Sequence, residues 1–124
     1  MLSVSQGMRI LVVEDDRPLR EALAAVLREF GYEVATAENG AQALERIDRE
    51  RPNLIFVDLV MPIMSGFRLI QTLQTDSTLA DIPTVAMTAC SFTAPVGVEV
   101  MRKPFPTELV LEIVRTHCGN PRPD

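Results

Sequence analysis

Three successive carboxylates, a lone aspartate, a threonine and a lysine each stand at the end of a short apolar run. Glu14-Asp15-Asp16 follow Arg9-Ile10-Leu11-Val12-Val13, and Asp58 closes Leu54-Ile55-Phe56-Val57. Thr88 follows Ile82 to Met87, and Lys103 comes just after Val98 to Met101. Carboxylates crowded at one point repel one another, and such a cluster persists most easily where a cation neutralises it. Oxygen-only ligands suit Mg²⁺ or Ca²⁺. Acids before a helix also complement its dipole, which accounts for Asp16 better than for Glu14 and Asp15. Asp58 has two readings. It could cap the turn marked by Pro62 and Gly66, or work at the edge where open α/β sheets bind ligands. An Asp carboxylate can itself be a nucleophile and form an acyl phosphate. Glu14 and Asp15 suit that role less, because holding a metal uses their lone pairs. A hydroxyl and an ammonium beside these acids would bind phosphoryl oxygens, Thr88 by hydrogen bonding and Lys103 by charge. Alone, Lys103 would pass for an ordinary surface lysine. Its place between a strand and Pro104-Phe105 argues against that.

Whether these groups meet depends on the elements that carry them. The four-residue apolar run before Asp58 reads as a strand buried on both faces. A helix begins near Arg17 with Pro18 in its first turn. Leu19, Leu23, Val26, Leu27 and Phe30 form its apolar stripe, and Gly31 stops it. Glu33 to Ala37 alternates like an edge strand, and Asn39-Gly40 turns the chain into a helix carrying Ala41, Leu44 and Ile47. A third helix is predicted from about Ser65, a possible N-cap, to Asp76, with Phe67, Ile70 and Leu73 inward. Strands are predicted over Ile82 to Met87 and Val98 to Met101. The last helix is predicted from about Pro106 to His117, with Leu109, Val110, Ile113 and Val114 inward and Gly119 ending it. His117 in its last turn is accounted for by the helix dipole. Strands alternating with helices predict an α/β fold, a doubly wound five-stranded parallel sheet with right-handed crossovers. Every strand then ends on one edge, and Glu14, Asp15, Asp58, Thr88 and Lys103 converge there.

With 124 residues, 47% hydrophobic and 23% charged, the chain has the composition of one globular domain. Its net charge of −5, without a Lys/Arg run, leaves no electrostatic footprint for nucleic acid. Cys90 and Cys118 lack metal-ligand spacing and read as free thiols in a reducing compartment. No apolar run is long enough for a membrane span, so no membrane contact and a cytoplasmic location are expected. Residues 1–7 read as a disordered lead-in, 8–119 as the domain, and 120–124 as a tail or the start of a linker.

Four motifs, in order on successive strand ends, resemble the receiver domains of bacterial two-component response regulators. Ile10-Leu11-Val12-Val13-Glu14-Asp15-Asp16 resembles the family's acidic first-strand end, and Val57-Asp58-Leu59-Val60-Met61-Pro62 with Gly66 its phosphoacceptor segment. Met87-Thr88-Ala89 resembles its hydroxyl position, and Lys103-Pro104-Phe105 its lysine with the proline that follows. The resemblance implies a flavodoxin-like strand order of 2-1-3-4-5. It implies that Asp58 accepts a phosphoryl group from a phosphohistidine of a sensor histidine kinase or a histidine phosphotransfer protein, to switch a partner or output domain not readable from the sequence. Asp15, Asp58 and the Val60 backbone carbonyl would ligate Mg²⁺, with Glu14 assisting, while Thr88 and Lys103 bind phosphoryl oxygens. Such a protein is a signalling switch rather than an enzyme, although it promotes its own phosphorylation and slow dephosphorylation.

Two departures from the family pattern bear on signal output. Only Ala89 to Gly97 separate Thr88 from Val98, short of the about 10–12 residues that a crossover with its helix needs. Pro95 and Gly97 oppose a helix there, so the usual crossover helix is expected to be missing or reduced to a loop. Val100 stands where the family usually places an aromatic switch ring, and it is too small to gate a pocket. An alternative reading is therefore a receiver-like interaction module that works independently of phosphorylation. Two enzyme readings fit less well. A haloacid-dehalogenase-type phosphatase would want Asp where Val60 stands, and a flavodoxin would want a Ser/Thr/Gly-rich loop where Glu14-Asp15-Asp16 repel phosphate. The resemblance further implies that Val60 and Cys90, each two residues beyond a site residue, limit attacking water and slow dephosphorylation.

Overall fold

The computed structural model describes residues 8–89, 95 and 97–119. Strands β1 (Arg9–Val13), β2 (Glu33–Ala37), β3 (Leu54–Asp58), β4 (Thr84–Thr88) and β5 (Glu99–Arg102) form one parallel sheet in the order β2-β1-β3-β4-β5. Helices α1 (Arg17–Glu29), α2 (Gly40–Arg49), α3 (Gly66–Thr75) and α4 (Thr107–Cys118) are the four among the described residues, in keeping with a reduced crossover between β4 and β5. Most of that crossover, including Cys90, lies outside the described residues.

The two-residue side-chain period of the strands builds two cores. Ile10, Val12, Leu54, Phe56, Val85 and Met87 point to one face, under Leu23 and Leu27 of α1 and Val110 and Val114 of α4. Leu11, Val13, Ile55, Val57 and Ala86 point to the other, under Ala43 and Ile47 of α2 and Leu69, Ile70 and Leu73 of α3. That is why β3 reads as unbroken apolar sequence: helices cover both of its faces.

Local chemistry sets the helix starts. Asn39 Oδ1 accepts from the Gln42 backbone N–H at 2.8 Å, and Gln42 Oε1 in turn accepts from the Glu38 N–H at 2.8 Å. Ser65 caps α3 as expected, its Oγ accepting from the Arg68 N–H at 3.2 Å. Gly119, at φ +72°, ends α4 in a conformation that glycine reaches without a Cβ penalty.

Some boundaries differ from the sequence reading. β4 starts at Thr84 rather than Ile82, since Pro83 has no N–H for the ladder and contributes only its carbonyl, to the Ile55 N–H. Thr88 is consequently the last residue of the strand itself. β5 runs one residue later than predicted, from Glu99 to Arg102. Phe30 does not join the α1 stripe. It lies past the helix end as the C-cap and is exposed, while Leu19 and Val26 are half-buried at the stripe's edge.

The loop from Leu59 to Ser65 carries one strained residue. Ile63 sits at φ +68° with its side chain 82% exposed. The left-handed region costs an L-residue about 1–2 kcal/mol, and so exposed a side chain recovers little of that by packing. Ile63→Asn, which tolerates this region, is expected to raise stability by about 1 kcal/mol, read as a higher urea midpoint at unchanged slope. An unchanged or lower midpoint would contradict it.

Candidate functional site

The strand ends deliver the predicted residues to one place. β1 stops at Val13, and the Glu14 N–H continues the ladder to the Ala37 carbonyl at 3.0 Å. Asp58 is the last residue of β3 and pairs in register with Met87, one residue before Thr88. Beyond them the ladder runs on through Leu59 N–H to the Met87 carbonyl (3.1 Å) and Lys103 N–H to the Thr88 carbonyl (2.8 Å). Strand pairing therefore fixes all four segments before any side chain is considered.

Carboxylate oxygens of Glu14, Asp15 and Asp58 all lie within 4.8 Å of one another. Lys103 holds two of the three acids together. Its Nζ is 2.7 Å from Glu14 Oε1 and 3.1 Å from Asp58 Oδ1. Glu14 Oε2 accepts from the Asp16 N–H at 3.1 Å, so both of its oxygens are engaged. Glu14 is the deepest member at 1% exposure, against 6% for Asp58 and 3% for Thr88, whereas Asp15 is exposed. Val60 points its side chain outward, and Val100 is exposed on the edge strand β5. An open cleft of about 450 Å³, lined by Asp16, Leu19, Ala89, Lys103, Pro104 and Phe105, borders the site.

Burial dominates the electrostatics. Desolvation pushes the Asp58 carboxyl above its ordinary value, and the Lys103 contact only partly offsets this. Glu14 is raised for the same first reason, with the Asp58 charge adding to it and Lys103 opposing. Burial acts to lower the Lys103 ammonium, but its contacts with Glu14 and Asp58 outweigh that and hold it above the usual lysine value. The result is a basic carboxylate beside a firmly charged ammonium.

Two further residues touch the backbone of this site. A Cβ on Gly66 would stand 2.1 Å from the Asp58 carbonyl oxygen, so the start of α3 packs directly on the end of β3. The sequence marks Gly66 as a turn and as part of the phosphoacceptor-like segment, but not this close packing on Asp58. Arg20 carries no motif; from α1 it reaches back to donate from Nη1 to the Glu14 carbonyl at 2.8 Å and the Asp15 carbonyl at 3.4 Å. His117 meets Glu99 on β5, with Nε2 and Oε1 3.2 Å apart.

Similarity to known proteins agrees with this geometry. The sequence profile of the response regulator receiver domain matches residues 10–114. The DNA-binding response regulator MtrA of Mycobacterium tuberculosis is 40% identical over 113 residues, covering 85% of this chain and 48% of the relative. Response regulator TrrA of Thermotoga maritima, solved in complex with Mg²⁺-BeF, superposes with a TM-score of 0.78 at 32% identity, covering 87% of this chain and 96% of that one. The receiver domain of sensor histidine kinase PA1611 from Pseudomonas aeruginosa, with magnesium in its active-site cleft, superposes at 0.82 with 26% identity, covering 91% and 98%. The chain spans about half the length of the curated relatives it matches. No helix among the described residues is long and apolar enough to cross a membrane. The fold, the acidic pocket and these matches agree: the chain belongs to the receiver domains of two-component response regulators, a family of signalling switches.

Proposed function

We propose that Asp58 accepts a phosphoryl group from a phosphohistidine of a sensor histidine kinase or histidine phosphotransfer protein. The observation that carries this is the Lys103 ammonium 3.1 Å from the Asp58 carboxylate, inside a pocket of three acids. An Asp58 oxygen attacks phosphorus, the P–N bond breaks with its electron pair going to the donor nitrogen, and the imidazole, already protonated on its other ring nitrogen, leaves neutral. Partial burial makes Asp58 a stronger nucleophile than a solvated carboxylate, and Lys103 favours its charged form. Lys103 and the Thr88 hydroxyl then hold phosphoryl oxygens.

The donor set of Glu14, Asp15 and Asp58 is all oxygen and acidic, which fits Mg²⁺. We assign Asp15, Asp58 and the Val60 carbonyl as ligands, with Glu14 assisting from its place on Lys103. Bound Mg²⁺ supplies charge neutralisation for the phosphoryl oxygens. Val60 offers water no side-chain hydrogen bond at the rim, consistent with slow self-catalysed hydrolysis. Cys90, paired with it in the sequence reading, is outside the described residues. The domain boundaries are proposed as 8–119, and the location as the cytoplasm. MtrA is named as DNA-binding; in this acidic chain we assign no nucleic-acid contact to residues 8–119, and the effector is unassigned. Val100 and the reduced crossover are what the phosphorylation-independent module rests on; the Lys103 ammonium beside Asp58 in the acidic pocket supports phosphoryl acceptance over it.

Incubating the chain with acetyl phosphate and Mg²⁺, followed by intact-mass measurement, tests the proposal. One phosphoryl increment is expected on wild type and none on Asp58→Asn. An unmodified wild type, or an equally modified variant, would overturn it.

A further inference from the structure

Asp15 is the exposed acid of the pocket, and among the described residues its carboxylate has no hydrogen-bond partner to hold it in place. Its position must come from its backbone. Glu14 is anchored through its N–H to Ala37 and through its carboxylate to Lys103 and the Asp16 N–H. The carbonyls of Glu14 and Asp15 are held by a single side chain. Arg20, one turn into α1, turns its guanidinium back and gives one nitrogen to both the Glu14 and the Asp15 carbonyl, at 2.8 and 3.4 Å. The Arg20 backbone N–H also closes the first turn of α1 on the Asp16 carbonyl at 2.9 Å. Repulsion among Glu14, Asp15 and Asp58 pushes the exposed segment outward, and the tether opposes that push.

We propose that Arg20 is a positioning residue for divalent-cation binding, fixing the Glu14–Asp15 backbone so that the Asp15 carboxylate faces Asp58. This rests on the reading of Glu14, Asp15 and Asp58 as a Mg²⁺ site. Charge and geometry predict opposite signs, which makes the role testable. Arg20 is a cation near the pocket, so its charge alone repels Mg²⁺, and its removal would tighten binding. Its tether makes the pocket, so its removal weakens binding.

Calorimetric titration of MgCl₂ into the full chain decides between them. Arg20→Met is expected to weaken Mg²⁺ binding about tenfold, the effect usual for partners that orient a ligand, with a thermal midpoint near that of wild type. Arg20→Lys keeps the charge, gives up the planar fork, and is expected to bind a few-fold weaker; it carries the test should the Met variant not fold. Equal or tighter Mg²⁺ binding in either variant overturns the role of Arg20 alone. A wild type that binds no Mg²⁺ overturns the cation site itself, and the inference with it.

Discussion

Gly66→Ala is expected to cost more than about 4 kcal/mol, a large part of the about 5–15 kcal/mol that holds a domain of this size folded. The added Cβ would lie 2.1 Å from the Asp58 carbonyl oxygen, 2.8 Å from Leu59 Cα and 2.9 Å from Asp58 C, all backbone atoms. Relief requires α3 to withdraw from the end of β3, which breaks the hydrogen bond from Gly66 N–H to the Leu59 carbonyl (3.1 Å). Gly40 provides the control. The nearest atoms to its Cβ would be Met64 Cγ at 2.6 Å, Sδ at 2.8 Å and Cβ at 2.9 Å; the thioether end can swing away, while the Cβ needs a small shift of the loop. Alanine also favours helix over glycine by about 1 kcal/mol, which offsets part of that shift, so Gly40→Ala is expected to cost clearly less than Gly66→Ala. Urea unfolding of both variants checks the contrast. Similar losses in the two would show that close approach at Asp58 is not the cause.

Lys103→Met is expected to remove most phosphoryl acceptance and to destabilise the fold at neutral pH. Losing one partner of a buried ion pair costs about 3–5 kcal/mol, limited here because the stranded acids can take up protons. The lysine side chain is 20% exposed, while those of Glu14 and Asp58 are 1% and 9% exposed, so water replaces it poorly. Both carboxyls already sit above their ordinary values through burial, and without the ammonium both rise further. A carboxyl whose folded pKa is raised binds protons more readily in the native state. Its contribution is therefore full below the unfolded value and is lost as pH rises through the folded one. Lys103→Met should regain stability as pH falls from neutral toward the ordinary carboxyl range, by more than wild type does. Adding Glu14→Gln should restore much of the loss at neutral pH. A pH profile parallel to that of wild type would refute the argument. Phosphorylation by acetyl phosphate is expected to slow about a hundredfold, the size of effect seen when a preorganised charge contact is lost.

The sequence carried the residue types and their order on the strands, and the parallel sheet followed from alternation. β3 is legible because an apolar run ending in Asp admits few other placements, and β2 because Glu33 to Ala37 alternates as an edge strand does. That the strand-end residues converge is legible; which atoms pair and how deep each lies is not. Nothing near Glu14 announces that it, as well as Asp58, will pair with Lys103, or that it will be more deeply buried than Asp58. Phe30 fits the helical period but falls past the point where the helix ends, because the period records spacing and not termination. Pro83 could have moved the start of β4, since the missing N–H is written in its residue type. Arg20 could not have been found, because a first-turn arginine more often faces solvent than its own strand end.

The acceptor loop is also closed in a way that bears on which lengths of chain it can have. Gly66 N–H holds the Leu59 carbonyl and Gly40 N–H holds the Met64 carbonyl, each at 3.1 Å, while Leu59 and Met61 are buried between them. Surface loops commonly absorb extra residues at little cost. Here an inserted residue would have to break one of those two hydrogen bonds or expel one of those two side chains. The segment between Asp58 and Gly66 acts as a spacer of set length, and length variation is best tolerated at other connections of the fold.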